Sequence, residues 1–132
     1  MTTDSPDESL ESSSDKTRQQ SIHIDVTPEF RRNLRSLKRY RSIREDVQVV
    51  VDELQAGNFV GDRLTGVGEG YVVFKVRVRN RDIQKGKSGS YRLIYQLETS
   101  TSILLLTIYP KSEREDIKAK EVREILKEFY EE

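Results

Sequence analysis

Residues 103–109 read ILLLTIY. A run this short and nearly all apolar cannot give one face to water and the other to a core. It reads as a strand covered on both faces, hence central in a sheet. Pro110 stops it, because proline brings no amide hydrogen to a ladder. The other strands must be arranged around it. Residues 71–79, YVVFKVRVR, alternate instead. Val72, Phe74, Val76 and Val78 are predicted to face a core, and Val73, Lys75, Arg77 and Arg79 the opposite side. Residues 90–97, SYRLIYQL, are the return strand after a charged connection. Residues 71–95 thus form a hairpin carrying seven bases (Lys75, Arg77, Arg79, Arg81, Lys85, Lys87, Arg92) and one acid, Asp82. The pleat sets Lys75, Arg77 and Arg79 in a row about 7 Å apart, near the spacing of successive phosphates in a nucleic-acid strand.

The remaining periodicities supply a strand and three helices. Residues 21–26, SIHIDV, alternate, with Ile22, Ile24 and Val26 inward and His23 and Asp25 outward. Thr27-Pro28-Glu29 supplies an N-cap, a proline for the first turn and an acid for the helix dipole. That helix is predicted to reach about Tyr40, with Phe30, Leu34 and Leu37 buried and Arg31, Arg32, Arg35, Lys38 and Arg39 exposed. Ser42 and Glu45 have the spacing of a capping box, and Gly57 closes the helix they open. Residues 58–70, with four glycines, read as a flexible turn. GVGEG at 66–70 is not a phosphate loop, since no helix follows it and no lysine closes it. Ser112 and Glu115 repeat the capping-box spacing ahead of a last helix with Ile117, Val122, Ile125, Leu126 and Phe129 as its apolar stripe. The expected fold is α+β, in the order β-α-α-β-β-β-α. Its sheet is four-stranded and antiparallel, with a mixed edge as the alternative, and the helices lie on one side.

Composition narrows the chemistry. The 132 residues contain no cysteine and one histidine, His23, which excludes thiolate and multi-histidine metal sites and most histidine acid/base pairs. No metal or cofactor is expected. The formal net charge is zero, but residues 1–20 carry five acids and two bases, so the positive surplus lies further on. Those twenty residues are polar and serine-rich and read as a disordered tail, leaving residues 21–132 as one domain. They lack the basic and apolar regions of a secretory signal, and no apolar run approaches bilayer length. A cytoplasmic protein without a membrane partner is expected.

The order of elements, together with FKVRVRN at 74–80, GKSGSYRLIYQL at 86–97 and LLTIYPKSEREDI at 105–117, resembles the RelE/ParE superfamily of bacterial type II toxins. The nearer likeness is to its RelE/HigB branch, the ribosome-dependent mRNA interferases. The resemblance covers about residues 21–130. It implies a RelE-like fold and a toxin that cuts mRNA on the ribosome and so blocks translation. The cut is metal-independent, by attack of the ribose 2′-oxygen on the adjacent phosphate. It also implies a cognate antitoxin that silences the toxin in a hetero-oligomer.

Arg92 matches the family's phosphate-contacting arginine, and Lys75 and Arg77 match its paired strand cations, with Arg79 as a register alternative. Lys111 lies at a junction where the family also carries bases. Ser112 and Lys118 stand where RelE itself has an arginine and a tyrosine, so Tyr109 and Lys87 become the substitutes for acid/base or orienting groups. A lysine suits proton transfer better than arginine, whose pKa exceeds about 12. Arg92, Lys87, Tyr109 and Lys111 are therefore the catalytic candidates. Lys75, Arg77, Arg79, Lys85 and Tyr95 are the RNA-binding ones, Tyr95 by stacking. Two alternatives stay open: a ParE-like inhibitor of DNA gyrase without nuclease activity, and a degraded toxin that only binds its antitoxin.

Overall fold

The computed structural model describes residues 22–80, 90–114 and 116–131. Five strands and three helices follow one another there: β1 (His23–Val26), α1 (Pro28–Ser36), α2 (Ile43–Gln55), β2 (Asp62–Leu64), β3 (Val73–Arg79), β4 (Ser90–Thr99), β5 (Ser102–Pro110) and α3 (Ala119–Glu131). The sheet order is β1-β5-β4-β3-β2. β1 runs parallel to β5, and the other pairings are antiparallel. The fold is α+β with a five-stranded mixed sheet. The fifth strand, β2, lies within the glycine-rich stretch read as a turn and pairs with the outer edge of β3. Gly61 permits this approach. Its φ is 108°, and a Cβ there would stand 2.5 Å from the Lys75 carbonyl oxygen.

The helices do not share one side, as the meander reading supposed. α1 and α2 cover one face, where Phe30, Leu37, Ile43, Val47, Val50 and Leu54 pack on Val76, Val78, Leu93, Ile103 and Leu105. α3 covers the other, where Val122, Ile125 and Leu126 meet Val73, Ile94, Leu104 and Leu106. The apolar β5 required this, because Leu104 and Leu106 would otherwise face water. Val73 is likewise sealed under the α3 face.

Helix ends depart from the capping pattern in instructive ways. Thr27 caps α1 as expected, its Oγ1 accepting from the Phe30 amide at 2.9 Å. α1 stops at Ser36, short of Tyr40, whose ring packs edge-on against Tyr91. Ser42 forms no capping box. Its hydroxyl donates to the buried Asp46 carboxylate at 2.7 Å. The last helix starts at Ala119, not beside Ser112. Lys111–Glu113 make one 3₁₀ turn, and residues 116–118 follow without regular structure. Glu115, the partner expected for Ser112, lies outside the described residues, as do residues 1–20.

Candidate nucleic-acid interface

Across the sheet Arg77 stands opposite Arg92, and Arg92 opposite Tyr109. Directly opposed residues of antiparallel strands share a face. Lys75 lies two residues before Arg77 and so joins them. This is the α3 face, where α3 covers Val73, Ile94, Leu104 and Leu106. Arg77 and Arg79 remain exposed. The Arg92 side chain retains 15% of its exposure and Lys75 22%.

Tyr109 reaches this face through an irregularity in β5. Strand parity groups it with Ile103 and Leu105, on the α1–α2 side. The β4–β5 register slips between Ile94 and Tyr95, so that Leu105 faces Tyr95 while Thr107 faces Ile94. The extra residue re-phases the strand, as a β-bulge does. Ile108 then packs under α1–α2 and Tyr109 under the α3 side. Helix α1 holds the bulge. The Thr27 hydroxyl donates to the Leu106 carbonyl at 2.7 Å, the Asn33 amide donates to Thr107 Oγ1 at 2.9 Å, and the Thr107 hydroxyl donates to Glu29 at 3.0 Å.

Cations converge on one carboxylate in the segment after β5. Lys75 Nζ lies 2.9 Å from Asp116 Oδ2, and Arg92 Nε lies 3.9 Å from Oδ1. The Lys75 hydrogen bond, with the fields of Lys75, Arg92 and Lys111, holds this carboxyl below the usual carboxylate range. It is therefore charged at neutral pH. Arg92 is not satisfied by this contact. Its Nη1 is buried and has no hydrogen-bond partner among the described residues. A guanidinium N–H out of water without an acceptor is costly, and an incoming anion would remove the cost.

Tyr109 lies deeper, at 5% exposure. Its hydroxyl oxygen accepts from the Ile117 amide at 3.0 Å, and burial raises its pKa. The Arg114 guanidinium sits over its ring, 4.8 Å from the centroid, and makes two hydrogen bonds to Glu121, at 3.0 and 2.6 Å. Lys111 is exposed at the end of β5. On the next residues Glu113 pairs with Arg39, which joins this end of the sheet to the basic surface after α1.

The structure thus gathers Lys75, Arg77, Arg92, Tyr109 and Lys111 in one neighbourhood. Arg79 lies at the end of β3, opposite Ser90 and two residues beyond Arg77 on the same face. Tyr95 is not brought there. It stacks on Phe74 under the α1–α2 side, fully buried, with its hydroxyl donating to the Val60 carbonyl at 2.6 Å. Burial pushes its pKa up to about 12. A ring with no accessible face has no surface on which a base could stack, which corrects the stacking expectation. Lys85 and Lys87 lie outside the described residues.

Asp116 and Arg114 were not singled out from sequence. A helix opening at Ser112 would have put both on its first turns. Only the irregular path of residues 116–118 lays Asp116 against Lys75. The one local signal was buried Ile117 directly after a charged run.

No helix among the described residues is long and apolar enough to cross a membrane. No protein-family model matches this sequence, and no curated protein is significantly similar to it.

Proposed function

We propose that this chain is the toxin of a type II toxin–antitoxin pair, an endoribonuclease of the RelE/HigB kind that cuts ribosome-bound mRNA. The observation that carries this reading is Arg92: a largely buried guanidinium with an N–H unsatisfied among the described residues, flanked by Lys75 and Arg77 on the sheet face. Such a group suits one phosphate oxygen. Arg77 and Lys75 suit the neighbouring phosphates of an extended strand.

In the reaction the 2′-oxygen forms a bond to phosphorus and the bond to the 5′-oxygen breaks. The 2′-hydroxyl loses a proton and the leaving oxygen gains one. The products are a 2′,3′-cyclic phosphate and a 5′-hydroxyl. Arg92 and Lys75 would stabilise the extra charge on the pentacoordinate phosphate, where fixed donors act most strongly. Lys111, exposed at the strand end, is the described residue best exposed for proton transfer, and Lys87 is the second candidate by sequence. Buried Tyr109 supports the site by packing and by holding Ile117. A cognate antitoxin would silence the protein by covering this cationic face.

The test is primer-extension mapping of mRNA in a translating extract given the purified protein. Wild type should produce discrete cuts. Arg92→Ala should slow them by about a hundredfold or more, the scale of losing one charge-stabilising donor. Uncut mRNA with the wild-type protein would overturn the reading. Inhibition of DNA supercoiling in a parallel gyrase assay would point to the ParE-like alternative.

A further inference from the structure

The carboxylate of Asp116 occupies the place where the cations of this site converge. It is 2.9 Å from the Lys75 ammonium and 3.9 Å from Arg92 Nε. Carboxylate and phosphate oxygens are recognised by the same donors, so the two compete for Lys75 and Arg92. We propose that Asp116 is a built-in competitor for phosphate, a latch that an incoming nucleic-acid strand must displace from Lys75 and Arg92. The proposal rests on the nucleic-acid reading of this face and adds a regulator to it.

The geometry lets the latch open without unfolding anything. The Asp116 side chain is 54% exposed. Its neighbour Ile117 is anchored, 6% exposed and with its amide held by the Tyr109 hydroxyl at 3.0 Å. The backbone can therefore stay in place while the side chain turns outward. The ion pair is wet, and a wet pair contributes little to stability and is easily exchanged.

The latch also sets a threshold for binding. A single anion must compete with Asp116 at Lys75 and Arg92 alone. A strand engages Arg77 in the same event and gains counterion release from each added contact. Asp116 thereby raises the threshold for any anion, and a continuous strand has the added contacts to clear it.

Binding is measured on the full chain with two probes, a 2′-O-methyl RNA hexanucleotide that cannot be cleaved and inorganic sulfate. Asp116→Asn should bind both more tightly, by roughly three- to tenfold, the size of one partly screened charge. The salt dependence of its RNA binding should steepen by about 0.7 in log–log slope, because Lys75 then releases a counterion that Asp116 had replaced. Asp116→Ser is the second variant, and it should agree. In the wild type, the Asp116 carboxylate ¹³C resonance should move toward that of an unpaired side chain as RNA is added. Unchanged or weaker binding of both probes by Asp116→Asn overturns the latch, whatever Arg92→Ala does. If no form binds RNA but Asp116→Asn binds sulfate more tightly, the latch stands and the nucleic-acid reading falls.

Discussion

Arg92 and Tyr109 face each other across two strands, yet their surroundings give them different work. Arg92 keeps one buried donor without a partner among the described residues. Tyr109 spends its acceptor on the Ile117 amide, and its ring carries Arg114. Tyr109→Phe keeps the ring but leaves the Ile117 N–H without its partner. The expected cost is about 1–3 kcal/mol, read by urea denaturation of wild type and variant. A cost near zero would show that water replaces the hydroxyl. The aromatic character of Tyr109 was legible in its strand. Its face was not, because one inserted residue in β5 inverts every parity beyond it.

At the scale of elements, α1 governs β5. Thr27 both caps α1 and ties it to the bulge, with its hydroxyl donating to the Leu106 carbonyl while its oxygen accepts from Phe30. Asn33 and Glu29 hold Thr107 from the same helix. Loss of the Thr27 hydroxyl removes a cap and strands a buried carbonyl at once. Thr27→Ala should therefore lower unfolding free energy by about 2–3 kcal/mol, and Thr27→Ser by less than half of that, both from denaturation midpoints. Equal losses for the two would assign the effect to the methyl group instead. The cap itself was readable from Thr27-Pro28-Glu29, since capping is an affair of four adjacent residues. The partner of its hydroxyl, 79 positions away, was not.

For the whole molecule, net charge hides the arrangement. The chain is formally neutral, yet Lys75, Arg77, Arg92 and Lys111 share one end of one sheet face. RNA binding should therefore fall with salt, with a log–log slope of about −2 to −3 for three or four single-strand phosphate contacts. Arg92→Ala should flatten it by about 0.7, measured by fluorescence anisotropy over a salt series. A flat response would mean that the face does not take phosphates. The sequence alone determined the doubly covered strand at 103–109, the alternation that aligns Lys75, Arg77 and Arg79, the α1 cap and the α+β class, because each is a pattern among close neighbours. The tertiary structure decided the rest. It placed α3 opposite α1 and α2, paired β2 to an edge the glycines left open, turned Tyr109 to the cationic side and set Asp116 on Lys75. These depend on which distant groups satisfy one another's hydrogen bonds and charges, and no local periodicity records that.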